Sequence, residues 1–298
     1  MFDELKSVFN RPNHAHVQLI VINVTVFLAM GAVYVFSTIG GLDWISSWLN
    51  QQFTIPPRFI DFLMRPWTII TYAFAHSLND IFHILFNMLV FYWFGKLFVE
   101  YLGSDKLVAL YLLGAISGGI IYLLVYNGIP YFIARSGFSG MVGASAAVYA
   151  IVAGTAVLLP NHTFYLLFLG PIRIKYIAAF YIVLSFLGSV GSNAGGNIAH
   201  LGGALMGFIY IKQLNVGINW GGWITATLDW FKDLFKPQPK VKVTYRKTET
   251  KGRQQSRAEN PSKTSQEEID AILDKISERG YESLTSDEKE KLFNASKK

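Results

Sequence analysis

Four polar residues stand out within the apolar stretches of this 298-residue chain, where a polar side chain is costly and becomes a candidate for function. They are His83, Asn87, Ser145 and His200. A serine hydroxyl acts as a nucleophile when a neutral histidine accepts its proton. These residue types therefore predict acyl transfer, with Ser145 as nucleophile and His200 as general base. The Asn87 amide, the His83 ring and the backbone N–H of Ser145 are the expected donors to the oxyanion.

Each of these residues also has a purely structural interpretation, because serine, histidine and asparagine often link or pack membrane helices. Their common depth argues for one shared site. Each lies near the start of an apolar segment, and the three segments are expected to cross the membrane in the same direction. His83 and Asn87 are four residues apart and so project from one helix face. The sequence therefore predicts a single site in the outer half of the bilayer.

Small residues surround both members of the predicted pair. Gly143 and several alanines flank Ser145, while Gly203 and Gly207 share a helix face with His200. Helices with such faces can approach each other closely in a membrane. This approach would bring the serine hydroxyl within hydrogen-bonding distance of the imidazole.

A carboxylate that could orient the histidine is missing, since the segments that carry Ser145 and His200 contain no Asp or Glu. Tyr149 follows Ser145 by four residues, one helical turn deeper, and its ring can hold the imidazole by stacking. Asp80 is the nearest outer carboxylate in the sequence.

A second Gly-x-Ser match competes for the role of nucleophile. By the short motif alone, Gly137-Phe138-Ser139-Gly140 is a better match than Gly143-Ala144-Ser145-Ala146. Ser139, however, lies in the loop before the fourth apolar segment, and the residue four positions after it is glycine rather than an aromatic. These observations favour Ser145.

Six apolar segments are candidates for membrane-spanning helices, since about 20 apolar residues cross a bilayer and each helix satisfies its own backbone. The runs are too long and too continuous for the strands of a barrel. The predicted fold is an all-α membrane protein, a six-helix bundle with an amphipathic helix and a soluble helical-hairpin tail. The six segments are 17–39, 81–101, 107–126, 143–159, 174–190 and 197–214.

The basic residues of the short loops predict the orientation of these segments. One set of connections holds most of the Lys and Arg and continues into the basic tail, whereas the other holds only Arg58, Arg65 and Arg135. The first set is expected to be cytoplasmic, which places both termini inside. The first apolar run, after the cytoplasmic residues 1–16, is too long for a signal-peptide core. The expected location is a bacterial plasma (inner) membrane, with multiple passes.

Further segments surround the predicted core domain. The outer loop, residues 40–80, is rich in aromatic residues and is expected to fold into the membrane interface rather than to form a disordered connector. The division of the chain is then 1–16, the six-helix domain 17–215, an amphipathic interfacial segment 216–236, a basic flexible linker 237–264 and a small helical hairpin 265–298. Capping boxes begin at Ser265 and Thr285, and the hairpin buries so little that a partner, still unknown, is expected.

The composition excludes several other chemistries. The chain has no cysteine, no His-Glu-x-x-His zinc motif and no pair of intramembrane aspartates. Neither a metal nor a cofactor is expected. The net charge of +6 comes largely from the C-terminal third, where membrane topology explains it better than nucleic-acid binding does. The expected partners are therefore transmembrane protein substrates and the lipid bilayer.

Three motifs together resemble those of the rhomboid intramembrane proteases. His83-Ile84-Leu85-Phe86-Asn87-Met88 looks like the His-x-x-x-Asn motif of the family's second helix. Residues 143–149, Gly-Ala-Ser-Ala-Ala-Val-Tyr, look like the Gly-x-Ser-x motif of helix 4 with its tyrosine. Residues 199–203, Ala-His-Leu-Gly-Gly, with Gly207, look like the helix 6 segment. The resemblance covers about residues 15–215, and the terminal hairpin resembles a small module appended to some bacterial rhomboids.

This resemblance implies a six-helix fold with a dyad of Ser145 and His200. It implies that His83 and Asn87 stabilise the oxyanion and that Tyr149 stacks on His200. It also implies that the outer loop lies in the membrane and that substrates approach beside the fifth helix.

The chain departs from the family pattern at three places. Ala146 stands where glycine is usual, and Trp67 is followed by Thr68 rather than by arginine. His76 precedes His83 by seven residues rather than five. These departures concern one loop contact and the position of His76, and they leave the dyad intact.

Two other functions compete with proteolysis. One is a catalytically inactive rhomboid-like protein that binds membrane clients, against which the intact Ser145, His200 and Asn87 argue. The other is a transporter or channel with a polar midplane site. The lack of intramembrane carboxylates and of paired half-helices argues against it.

Overall fold

Helices form most of the regular structure in the computed structural model, which describes Phe9 and residues 13–134, 140–166, 170–235 and 261–295. Short 3₁₀ turns cover Tyr72–Phe74 and Tyr281–Ser283. The helices are α1 (Ala15–Ile39), α2 (Asp43–Gln52), α3 (Phe59–Leu63), α4 (Thr68–Thr71), α5 (Ile81–Leu102), α6 (Ser104–Gly128), α7 (Pro130–Ile133), α8 (Ser145–Leu158), α9 (Ile174–Gly188), α10 (Ala194–Asn215), α11 (Gly222–Phe235), α12 (Pro261–Arg279) and α13 (Ser286–Ala295).

All six predicted membrane segments coincide with helices, namely α1, α5, α6, α8, α9 and α10. Among the described helices, α1, α5 and α6 are long and apolar enough to cross a membrane by length and composition. The apolar helices α8 and α9 are shorter, with 14 and 15 residues. Helix α10 has 22 residues, but its glycines and polar residues lower its mean hydropathy. The chain is an integral membrane protein built as an all-α bundle.

Four predicted segment starts differ from the helix starts by two or three residues. Helices α1 and α6 begin at Ala15 and Ser104 rather than at 17 and 107. Helix α8 begins at Ser145 rather than at 143, because Gly143 has a φ of +133°, outside the helical region. Ser145 is therefore the first helical residue. Helix α10 begins at Ala194 rather than at 197, which adds almost one turn before His200.

Helix α8 lies at the centre of the bundle and packs against α5, α6, α9 and α10. Ten of its 14 residues are buried, and most of these are alanine, glycine or valine. Small side chains let the surrounding helices approach closely. The bundle thus brings residues of four other helices to the first turn of α8 and the turn below it.

The outer loop, residues 40–80, contains α2, α3 and α4 rather than a disordered connector. Ile55 and Met141 exchange two backbone hydrogen bonds of 3.0 Å, which fix the loop to the segment before α8. The Phe59 N–H donates to Asn127 Oδ1 of α6 at 3.0 Å. Several aromatic side chains of the loop are exposed, and its place in the membrane interface stays a prediction.

Two short strands between α8 and α9 are not predicted from the sequence. Strand β1 (Thr163–Leu166) pairs antiparallel with β2 (Gly170–Arg173), and Thr163 lies opposite Arg173. Each strand has four residues, too few for an alternating pattern to be distinguished from a loop. The hairpin ends where α9 begins.

The described C-terminal residues, 261–295, belong to a separate compact unit. Helix α12 begins at Pro261, so the prediction that Ser265 caps its start is wrong; proline suits the first turn of a helix. The second predicted capping box is present, since the Thr285 N–H donates to Glu288 Oε2 at 2.7 Å. Of the predicted linker, 261–264 is helical and 237–260 lies outside the described residues, as do 1–8 and 10–12 at the N-terminus.

Candidate active site

The backbone that leads into α8 depends on Gly143. Its φ of +133° is a conformation that L side chains rarely adopt. A Cβ at this position would also lie 3.0 Å from His83 Cε1 and 3.1 Å from His83 Nε2. Glycine is therefore required on conformational and steric grounds. The first N–H groups of α8, beginning at Ser145, have no acceptor within the helix, so this end favours negative charge.

The structure brings Ser145 and His200 together. Ser145 Oγ lies 2.7 Å from His200 Nε2, although the residues are 55 positions apart and belong to α8 and α10. This distance is that of a good hydrogen bond. Both side chains are partly buried. A hydroxyl in this position can lose its proton to the imidazole as it attacks.

The approach of α8 and α10 depends on two glycines below the histidine. A Cβ at Gly203 would collide with the carbonyl oxygen of Ala146, and a Cβ at Gly207 would collide with that of Ala150. These neighbours are backbone atoms, which cannot rotate away as a side chain can. Both glycines thus determine how close the two helices lie.

Tyr149 stacks on the imidazole of His200. The ring centroids are 4.2 Å apart and the planes differ by 12°. Tyr149 lies one turn after Ser145 on α8, so the same helix carries Ser145 and the ring that stacks on His200.

Ser185 on α9 is a site residue that the sequence reasoning missed. Its Oγ lies 3.0 Å from His200 Nδ1 and 2.8 Å from the Tyr149 hydroxyl. It is 1% exposed. The available signal was a serine within an apolar segment, at helical spacing from Ile174 and Ala178, which are also buried.

His83 and Asn87 line the same cavity as the serine and the histidine. This cavity has a volume of about 270 Å³ and also contacts Tyr149. Asn87 Nδ2 donates to the His83 carbonyl oxygen at 2.8 Å. An amide nitrogen carries two hydrogens, so one remains for a group bound in the cavity. All four polar residues singled out in the sequence therefore lie around one space.

Asp80 and His76 support α5 rather than the histidine of α10. Asp80 Oδ1 accepts from the N–H groups of Phe82 and His83, at 3.1 and 3.3 Å, and so caps the helix. His76 is 3% exposed, and its ring packs edge-on against His83 at 5.2 Å. His76 lies outside the membrane-spanning helices. Burial, and then the nearby His83, lower the pKa of His76 to about 3.

The remaining departures from the family pattern have local explanations. The methyl group of Ala146 fits because Gly118 on α6 has no side chain; a Cβ there would lie 2.6 Å from Ala146 Cβ. Thr68 is fully buried, and its hydroxyl donates to the Arg65 carbonyl at 2.7 Å. Ser139, the competing nucleophile, lies outside the described residues.

The chemistry available here is that of a nucleophile, a base and hydrogen-bond donors. Within the part of the chain that the structure describes, no three His, Cys, Asp or Glu side chains are grouped to hold a metal ion. The arrangement suits acyl transfer through an activated hydroxyl.

Comparison with known proteins identifies the family of this chain. Residues 64–214 match the family described as Rhomboid domain, so the chain belongs to the rhomboid family. Residues 260–298 match a family of unknown function (DUF6576). The chain is 34% identical to RHOMBOID-like protein 12, mitochondrial, of Arabidopsis thaliana, over 51% of this chain and 48% of that protein.

Two further relatives differ in their origin. Rhomboid protein 1, mitochondrial, of Saccharomyces cerevisiae is 31% identical over 50% of this chain and 42% of its own length. Rhomboid protease GlpG of Yersinia pseudotuberculosis is 23% identical over 63% of this chain and 60% of its own. The chain spans about half the length of the curated relatives it matches. The expectation of a bacterial membrane stays a prediction, because two of these three relatives are named as mitochondrial.

Proposed function

We propose that this protein is an intramembrane serine endopeptidase that cleaves transmembrane segments of other membrane proteins. The observation that carries the proposal is the 2.7 Å contact between Ser145 Oγ and His200 Nε2. An isolated serine or histidine would be ordinary helix packing, whereas this contact gives the serine proton an acceptor. Membership of a family that includes a named protease adds support.

In the proposed reaction, Ser145 Oγ attacks the carbonyl carbon of the scissile peptide bond while its proton moves to His200 Nε2. The carbonyl oxygen becomes an oxyanion that accepts from the Ser145 N–H, with the Asn87 amide and the His83 ring as further donors. His200 then gives the proton to the leaving amine nitrogen as the C–N bond breaks. A water molecule, deprotonated by His200, hydrolyses the acyl ester and restores the serine.

The substrate class follows from where these groups sit. They lie near the starts of α5, α8 and α10, the ends that we propose face outside, with both termini in the cytoplasm and the substrate approaching beside α9. A backbone must be extended to reach Ser145 Oγ. Preferred substrates are therefore single-span proteins with small or helix-breaking residues near the outer end of the span.

The test is cleavage of a model single-span substrate by purified protein in detergent. We expect Ser145→Ala to abolish the product and Ser139→Ala to retain it. A fluorophosphonate should label the wild type and the Ser139→Ala variant but not Ser145→Ala. Folded wild-type protein that neither cleaves a panel of such substrates nor reacts with the fluorophosphonate would contradict the proposal and favour an inactive client-binding protein.

A further inference from the structure

Helix α9 presents one narrow buried stripe to the bundle. Its buried residues are Ile174, Ala178 and Ser185. Large side chains such as Phe186 and Leu187 point outward, with 69% and 67% of their surface exposed. Ser185 is thus the polar member of this stripe, and its hydroxyl is enclosed where α9 meets α8 and α10.

The hydroxyl of Ser185 belongs to a chain of hydrogen bonds that ends on a backbone carbonyl. The Tyr149 hydroxyl makes a long contact of 3.4 Å with the Tyr181 carbonyl oxygen. A carbonyl oxygen only accepts, so the tyrosine is the donor in this contact. The same tyrosine oxygen accepts from Ser185 Oγ at 2.8 Å. Having donated its hydrogen, Ser185 Oγ must accept from His200 Nδ1 at 3.0 Å.

This direction decides which nitrogen of the histidine carries the proton. If Nδ1 is protonated, Nε2 is free to accept the hydrogen of Ser145 Oγ. If the hydrogen bonds ran in the opposite direction, Ser185 would donate to Nδ1, and the neutral ring would carry its hydrogen on Nε2. The histidine could not then act as a base toward the serine. The Tyr181 carbonyl, which ends this series of hydrogen bonds, favours the arrangement in which His200 Nδ1 carries the proton.

We infer that Ser185 is a positioning residue that holds His200 in its Nδ1–H tautomer and directs Nε2 at Ser145. This inference rests on the proposed function and deepens it. Ser185 takes the place of the carboxylate that orients the base in other serine hydrolases. Because a hydroxyl carries no charge, it fixes the tautomer and the ring orientation but adds little stabilisation to the imidazolium. Its removal should therefore cost less than the loss of such a carboxylate.

The experiment compares Ser185→Ala, Ser185→Thr and the control Ser189→Ala in the full-length protein. Ser189 directly follows the last residue of α9, one turn after Ser185, and its hydroxyl donates to the Ser185 backbone carbonyl at 2.8 Å. Ser185→Ala should lower kcat about tenfold with little change in KM, as expected for one hydrogen bond. The threonine variant keeps the hydroxyl and should recover most of the rate, while Ser189→Ala should match wild type.

The second measurement is the tautomer of His200, taken from ¹⁵N NMR of histidine-labelled protein at neutral pH. The His200 signals are assigned by their loss in a His200→Ala variant. Wild type and Ser189→Ala should carry the hydrogen on Nδ1, whereas Ser185→Ala should shift population toward the Nε2–H form. A variant that is only destabilised would have a lower Tm but an unchanged His200 tautomer.

If Ser185→Ala does not fold, Tyr149→Phe supplies an independent test, because it keeps the stacked ring and removes the acceptor for the Ser185 hydroxyl. It should show the same tautomer shift. Wild-type kcat and wild-type spectra in Ser185→Ala, or an Nε2–H tautomer in wild type, would overturn the inference and leave the protease proposal standing. An inert wild type with the Nδ1–H tautomer would contradict the protease proposal while supporting the orienting contact.

Discussion

The carbonyl oxygen of Ala146 on α8 occupies the space that a side chain at Gly203 on α10 would need. One turn further along, the carbonyl of Ala150 stands in the same relation to Gly207. The two helices therefore touch through backbone atoms. Since these helices carry Ser145 and His200 just above the contact, the separation of this proposed dyad depends on it.

We expect Gly203→Ala to separate α8 from α10 and to lower both stability and activity. The added Cβ meets a backbone carbonyl, so the helices themselves must move, and overpacking of this kind costs about 1–3 kcal/mol. The measurements are Tm in detergent and the rate of substrate cleavage. The control is Gly222→Ala, where the nearest atom would be 3.7 Å away and both quantities should be unchanged. If Gly203→Ala keeps the wild-type Tm and rate, the close contact between α8 and α10 is not needed for either.

A second prediction separates backbone strain from contact with His83. Gly143 and Gly217 both have positive φ, at +133° and +84°, but only at Gly143 does a Cβ meet the His83 ring. Gly217→Ala should lose about 1 kcal/mol of stability and keep its activity. Gly143→Ala should lose at least about tenfold in kcat, since strain and displacement of the ring combine. Equal loss of activity in both variants would rule out the contact as the cause.

The amide of Asn87 is expected to act in the transition state rather than in substrate binding. Asn87→Ala should lower kcat about a hundredfold with little change in KM, as when one oxyanion donor is removed. Steady-state kinetics on a single-span substrate make the distinction. Asn161→Ala, on the exposed turn after α8, is the control and should behave as wild type. A higher KM with an unchanged kcat would instead assign Asn87 to substrate binding.

The buried His76 makes stability depend on pH in a defined window. Its pKa is lowered from 6.5 to about 3 in the folded protein. Unfolding therefore takes up a proton between these values, and acidification within the window destabilises the fold, by up to about 1.4 kcal/mol per pH unit. The stability that depends on a neutral His76 is fully present above pH 6.5 and is lost as the pH falls toward 3.

We expect the Tm of the wild type to fall between pH 6.5 and 4, and to fall less steeply in His76→Phe, which keeps a ring of similar size. Thermal melts in one detergent over this range provide the measurement. Phe74→Leu, a packing change in the same segment, should lower Tm evenly and keep the wild-type slope. An unaltered slope in His76→Phe would assign the pH dependence to other groups.

The helices of the bundle were predictable because lipid offers no hydrogen bonds, so each crossing segment had to be a long apolar helix. Their starts were less predictable. The boundary at Ser145 depends on the φ of Gly143, which composition does not reveal. The β1–β2 hairpin was missed because its strands are too short to carry a period.

The grouping of the candidate-site residues was predictable wherever polarity and spacing coincided, as for His83 and Asn87 on one face. In the segment of Ser185, the polar residue at the same spacing is another serine, Ser189, and a pair of serines indicates no particular chemistry. The importance of Ser185 arises from the rotation of α9 against α8 and α10, which places one hydroxyl between a tyrosine and a histidine from two other helices. A serine on an apolar helix otherwise has an ordinary packing interpretation, and only tertiary geometry distinguishes the two cases.

The 15 residues of α9 have a consequence for the lipid around the protein. At about 1.5 Å per residue, the helix is about 22 Å long, whereas the hydrocarbon core of a bilayer is about 30 Å thick. The exposed apolar surface of α9 is therefore shorter than the hydrocarbon core that surrounds it. Such hydrophobic mismatch costs fractions of a kcal/mol per Å and is relieved when the bilayer thins locally. Membrane thickness thus contributes to the free energy of the native state, independently of any residue in the cavity.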